Sequence, residues 1–321
     1  MTAAKERVDL KRLGGVVNDV VKEMAKVKTR GKPRDPKIGL DQFGVAVLTC
    51  GGEMVAGGDA EEPFFIQSIA KVFALTIALD RYGEDVWKRV GREPSGDPFN
   101  SIVDLERHKG IPRNPLINAG ALVVDDMLMG KRKPKRVPDY VRDYLAKLIG
   151  DDSVRVDEKV AAKEKVRGFN NRALANLSKA FDNLHHEVDD VIEVFVRQCV
   201  VPLTCRQLAR AGRYLMLDTL DREAKIGREQ VRRARRINSL MLTCGQYDGS
   251  GEFAYRVGLP AKSGVGGGIL AIVPNAASIA VWSPGLDEDG NSQIGTLALE
   301  RIAERMDWSV FGAVQPEDRA P

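Results

Sequence analysis

Two β-hairpin signals stand at opposite ends of this chain, and almost everything between them reads as helix. Near the start, "FGVAVLT" and "EMVAGG" flank the turn "CGG". Near the end, "ILAIVP" and "ASIAVW" are separated only by "NA". From about Thr76 to about Asn238 the sequence is mostly helical, with loops at "GREPSGDPFN" and "KGIPRNP". An amphipathic helix opens the chain, with Leu10, Leu13, Val16, Val17, Val20, Val21 and Met24 at helical spacing. The linker "TRGKPRDPKIGLD" follows it, and a last amphipathic helix carries Leu299, Ile302, Ala303 and Met306. The β-signal returns after "GQYDGSGEF", in the second hairpin. Strands at both ends around a helical middle predict one mixed α/β domain with a helical insertion. The expected division is residues 1–75 and 239–321 for the α/β part and 76–238 for the helical part, within a single domain 1–321. No internal repeat is visible.

Composition narrows the function classes. The chain has 321 residues, 43% of them hydrophobic and 29% charged, as in an ordinary soluble globular protein. A net charge of +4 sets up no global field towards nucleic acid or membrane, so neither is expected as a partner. The N-terminal "MTAAKERVDLKRLGG" lacks a signal-peptide core, and Pro274 and Asn275 break the longest apolar region. Cys50, Cys199, Cys205 and Cys244 form no CxxC pair and read as reduced thiols. A cytoplasmic protein is expected. The basic blocks "KRKPKR" and "REQVRRARR" read as a solvated loop and a helix face, and "GVGGG" lacks the GK[ST] of a phosphate loop.

One short stretch carries chemistry. In "FFIQSIAKVFAL", Ser68 enters an apolar run with Lys71 three residues later, on one face if a helix begins near Ser68. A Ser–Lys pair is among the few ways to activate a hydroxyl without histidine. On sequence alone a helix-start serine is more often a cap and such a lysine more often solvated. The apolar neighbours Val72, Phe73, Leu75 and Ile77 tilt the balance, because a desolvated lysine loses its proton more readily. The glycine-rich "LPAKSGVGGGI" brings another lysine, Lys262, expected as a cation that depresses Lys71 further. It also offers a backbone N–H that could pair with that of Ser68 as an oxyanion hole. Histidine is scarce: His108 stands alone, and the adjacent His185 and His186 read as an exposed helix end rather than a metal site.

Ser-x-x-Lys, then Tyr247, then Lys262-Ser263-Gly264, resembles the serine β-lactamase and penicillin-binding-protein superfamily. The segments "FIQSIAKVF", "VGREPSGDPFNS", "GIPRNPLINAGAL", "RINSLMLTCGQYDGSGEFAYRVGLPAKSGVGGGI" and "WSPGLDEDGNSQIG" are similar to the serine-dependent glutaminases. The resemblance implies a β-lactamase-like antiparallel sheet flanked by helices, with a helical subdomain. It implies a glutaminase that hydrolyses L-glutamine to L-glutamate and ammonia through a Ser68 acyl-enzyme, with Lys71 as base. Tyr247 would relay a proton towards the departing ammonia, and the N–H groups of Ser68 and Val265 would hold the oxyanion. Asn118, Glu164 and Asn171 would bind the amino-acid head of the substrate, the last two on one helix face. No metal or organic cofactor is implied, and a homo-oligomer, dimer or tetramer, is.

Two positions depart from the family pattern. Phe195 stands where the family usually has a tyrosine, three residues before the Gln-Cys pair. Gly31-Lys32-Pro33 stands where a Tyr-Ile-Pro element usually precedes the first strand, leaving Tyr82 or Tyr255 as stand-ins. Two other functions stay open: a Ser-Lys hydrolase of another small amide or ester, and a catalytically weakened amino-acid-binding relative.

Overall fold

The two terminal hairpins form one sheet. In the computed structural model, which describes residues 8–29, 33, 38–96, 101–130, 139–216 and 227–312, the sheet begins with β1 (Gly44–Thr49) and β2 (Met54–Gly58). They turn through Gly52, whose φ of 94° favours glycine. A short pair, β3 (Phe64–Phe65) and β4 (Pro202–Leu203), lies outside this sheet. The chain returns to it with β5 (Ala261–Ser263), β6 (Gly268–Val273) and β7 (Ala277–Trp282). The strand order is β2-β1-β7-β6-β5, antiparallel throughout. The two hairpins meet at β1 and β7, where Val45 faces Val281 and Ala46 faces Ala280.

Every residue of β1, β6 and β7 is buried. Helices cover both faces, so these strands read as unbroken apolar runs rather than as alternating in–out patterns. One face presents Val45, Val47, Ile269, Ala271, Ile279 and Val281 to the two terminal helices. The other presents Ala46, Leu48, Leu270, Ile272, Ala280 and Trp282 to the helical middle, with which it shares one continuous core.

The helices are α1 (Leu10–Met24), α2 (Ala70–Tyr82), α3 (Ile102–Arg107), α4 (Asn118–Met129), α5 (Tyr140–Ile149) and α6 (Glu158–Arg167), then α7 (Phe169–Ala180), α8 (Val188–Cys199), α9 (Cys205–Ala211), α10 (Arg228–Cys244), α11 (Ser250–Arg256) and α12 (Gln293–Met306). Asp9 starts α1 by accepting from the backbone N–H groups of Lys11 and Arg12 at 2.9 and 3.0 Å. In α2 every residue from Ala70 to Leu79 is buried, and in α4 every residue from Ala119 to Met129. These two helices pack together at the centre of the molecule. Both run into the site.

Some local expectations change. Within "GQYDGSGEF", which the sequence left without an element, Tyr247–Gly249 forms a 3₁₀ turn and Ser250–Arg256 is α11. His186 precedes α8 and is bound, its Nδ1 lying 2.8 Å from the buried Asp126 carboxylate. The basic face of α10 is partly paired, Arg233 with Asp80 and Arg236 with Glu84. The "KRKPKR" block and Gly31-Lys32 lie outside the described residues.

Candidate active site

Ser68 occupies a single 3₁₀ turn, Gln67–Ile69, that runs directly into α2. Gln67, just before it, has a φ of 48°, a conformation uncommon for a side chain of its size. Ser68 is half-buried, while Lys71, one turn on, is 1% exposed. The Lys71 Nζ donates to Leu116 O at 3.1 Å and to Asn118 Oδ1 at 2.6 Å. The Phe195 ring centroid lies 5.8 Å from it.

This arrangement suits a neutral amine. A neutral amine has two N–H groups and one lone pair, and both N–H groups have acceptors here. The lone pair is left for another proton. Burial lowers the Lys71 pKa to about 8, against the opposing pull of Cys199 and Asp125. Leu116, whose carbonyl is one of the two acceptors, carried no signal in the sequence.

The opposite wall is the glycine-rich turn before β6. A Cβ on Gly264 would lie 2.5 Å from Ile66 O, and one on Gly266 would lie 2.4 Å from Phe65 O. Glycine at both positions lets the backbone around Val265 press against residues 65–67, immediately before Ser68. Trp282 fixes the turn from below, its Nε1 donating to Gly266 O at 2.9 Å. Val265 itself is half-buried.

Tyr247 is 8% exposed and holds a φ of 53°. Its ring lies under Lys262, 4.2 Å from Nζ to centroid. The same Nζ donates to Gly245 O at 3.0 Å and Ser263 O at 2.7 Å. The expected cation, Lys262, is fully buried, and burial first, then Lys71, pushes its pKa well below the usual lysine range. Lys71 owes its own low pKa to burial.

Asn118 bridges the lysine to the remaining candidates. Its Oδ1 accepts from Lys71, and its Nδ2 donates to Asn171 Oδ1 at 2.9 Å. Glu164 and Asn171 do not share one helix: α6 ends at Arg167, α7 begins at Phe169, and Gly168 breaks the run between them. Both side chains are half-buried. Phe195 is 6% exposed, so its phenyl ring fills its place in the core. Neither stand-in tyrosine reaches this cluster. Tyr255 is 89% exposed, and Tyr82 donates to Met127 O at the far end of α4. Beyond Tyr247 opens a cavity of about 680 Å³, bounded also by Pro94, Asn114, Ile117, Leu242 and Phe311.

The profile of the Glutaminase family matches residues 33–311. A glutaminase of Methylobacterium radiotolerans is 52% identical over 306 residues, covering 94% of this chain and 99% of its own. One of Rhodopseudomonas palustris (strain BisB5) is 50% identical over 305 residues, covering 94% and 98%. Among solved structures, the probable glutaminase ybaS superposes with a TM-score of 0.86 at 33% identity, covering 94% of this chain and 99% of its own. Mglu in its glutamate form superposes at 0.83 with 31% identity, covering 94% and 70%. Matches of this length take in both hairpins, the helical middle and every element of the site. The chain belongs to the glutaminases, amidohydrolases with a β-lactamase-like mixed α/β fold.

Proposed function

We propose that this protein hydrolyses L-glutamine to L-glutamate and ammonia through a γ-glutamyl ester on Ser68. The observation that carries the reading is the buried Lys71 amine, one turn from Ser68, with acceptors for two N–H groups and a lone pair to spare. Ser68 Oγ attacks the γ-carboxamide carbon while its proton passes to Lys71 Nζ. Charge on the carbonyl oxygen is taken by the N–H groups of Ser68 and Val265. The C–N bond breaks as Tyr247 relays a proton to the leaving nitrogen, and ammonia departs. Water then attacks the ester as Lys71 takes its proton, the bond from Ser68 Oγ to the carbonyl carbon breaks, the proton returns to Ser68 Oγ, and L-glutamate leaves.

The amino-acid head of glutamine lies towards Glu164, Asn171 and Asn118. A carboxylate at Glu164 suits the α-ammonium, as a charge-assisted bond. The existence of a glutamate form of the neighbour Mglu supports a site shaped for that head group. The proposal extends to a homo-oligomer, dimer or tetramer, in the cytoplasm. A preference for another small amide is the second reading, favoured by Phe195, which lacks the hydroxyl expected at its position.

Ammonia release from L-glutamine by the parent and by Ser68→Ala tests the proposal, with mass spectrometry of quenched parent for a glutamyl group on Ser68. The parent should turn over, and the variant should lose several orders of magnitude in kcat. Activity of Ser68→Ala within about tenfold of the parent would remove Ser68 as nucleophile. Turnover of other amides but not of glutamine would favour the second reading.

A further inference from the structure

Asp125 is buried at 0% exposure in the middle of α4. It lies seven residues, nearly two full turns, beyond Asn118, and so on the same side of the helix. Its Oδ2 accepts from Gln198 Nε2 at 2.8 Å, while its Oδ1, also buried, has no hydrogen-bond partner among the described residues. Gln198 in turn sits one turn after Phe195 on α8. Each of the two helices thus places one side chain on Lys71, Asn118 from α4 and Phe195 from α8. Each then supplies one member of the Asp125–Gln198 pair in the next layer down.

We propose that Asp125 is a positioning residue for Lys71, a buried carboxyl whose charge stabilises the ammonium formed when Lys71 takes the Ser68 proton. Resting on the reading of Lys71 as base, the proposal adds a third member to the Ser68–Lys71 pair. It parallels the carboxylate that stabilises the imidazolium in a Ser-His-Asp triad.

The surrounding charges leave this role to Asp125. Its neighbour Asp126 is already paired, with Arg89 at 2.6 Å and His186 at 2.8 Å. From α8 come Gln198, the Cys199 thiol and Arg197, the last held by Asp139 and Glu158. From α7 come the uncharged Ser178 and Arg172, the latter paired with Asp189 at 3.0 Å. From β5 comes Lys262, whose pKa burial pushes well below the usual lysine range. Burial also pushes the Asp125 carboxyl well above the usual range, as it pushes Lys71 down to about 8. The Lys71 ammonium in turn lowers the Asp125 pKa, each charge favouring the other. The unbonded Oδ1 leaves the carboxylate short of a second donor, so the Lys71 ammonium is the charge that offsets its burial.

The test is the pH dependence of kcat/KM for L-glutamine in the parent, Asp125→Asn and Gln198→Leu. Asp125→Asn keeps the shape and can still accept from Gln198, but carries no charge. Its acid limb should move about one pH unit lower, the small end of what a nearby opposite charge contributes. Its plateau should fall about tenfold, because a weaker base removes the proton. Gln198→Leu removes a donor that stabilises the ionised carboxyl, so its limb should move the same way by less. A packing role alone would lower activity and leave the limb in place. An unmoved limb in folded Asp125→Asn overturns the proposal; if that variant does not fold, an unmoved limb in Gln198→Leu does so. A parent profile with no acid limb would instead overturn Lys71 as base, and this proposal with it.

Discussion

Gly266→Ala probes the proposed oxyanion hole without touching a polar group. The added Cβ would lie 2.4 Å from Phe65 O, about 1 Å inside ordinary contact near 3.4 Å. The obstacle is backbone, so no side chain can swing aside. Either residues 65–67 or the turn 264–267 must shift, and these segments carry the N–H groups of Ser68 and Val265. A misplacement of about 1 Å costs roughly a hundredfold, and loss of one oxyanion donor costs about 10²–10³ in kcat. Gly266→Ala should therefore lower kcat about a hundredfold while KM stays within a few-fold, since the hole acts on the transition state. Gly212→Ala is the control. Its Cβ would meet Ser278 Oγ at 2.4 Å and Leu270 Cδ1 at 2.8 Å, in β7 and β6 rather than in residues 65–67 or 264–267. That variant should lose thermal stability and keep kcat. Ammonia-release kinetics with circular dichroism on both variants decide the matter. Folded Gly266→Ala with kcat within about threefold of the parent would refute the oxyanion assignment, because a misplaced or lost donor costs far more.

For the parent, kcat/KM should rise with pH through about 8 and level off above it, because the base must be neutral and burial holds Lys71 near that value. A profile flat from acid to alkaline pH would exclude a lysine base. Glu164→Gln should weaken glutamine binding by about 1.5–3 kcal/mol, and an analogue without the α-amino group should be hurt less. Equal losses for the two substrates would show that Glu164 does not read the ammonium. Phe195→Tyr should lower KM for glutamine roughly ten- to a hundredfold with little change in kcat, if the missing hydroxyl binds the substrate head. An unchanged KM would mean that another group already fills that place.

The sheet was legible because its strands are apolar on both faces. In "GVAVLT", Val45 and Val47 pack on one helical layer while Ala46 and Leu48 pack on the other, leaving only the terminal Thr49 polar. Tyr247–Gly249 and α11 carried no comparable signal. Three glycines within "GQYDGSG" signal a loop locally, but Phe253 packs into the core and the Ser250 hydroxyl donates to Tyr247 O at 2.8 Å. Those tertiary contacts outweigh the weak helix propensity. Gly168 worked the other way, splitting a run that spacing alone would have kept as one helix.

Within the site, residue types were legible and ionisation states were not. Lys71 and Lys262 both stand in motifs, yet sequence did not show that burial lowers the pKa of Lys262 as well. The reason is depth: Lys262 is on β5 at 0% exposure, where its amine has only carbonyl oxygens and an aromatic face for company. Those neighbours can hold the N–H groups of a neutral amine, but they do not offset the cost of burying a charge. Asp125 escaped notice because "VVDDML" reads locally as an amphipathic turn with its acids in water. The longer pattern excludes that, since a helix buried on every side from Ala119 to Met129 has no face to give them. Adjacent acids in such a helix must each find a partner or lose their charge. Asp126 finds Arg89 and His186. Asp125 has one amide donor and the lysine beyond it, and that imbalance is what ties its ionisation to the chemistry at Ser68.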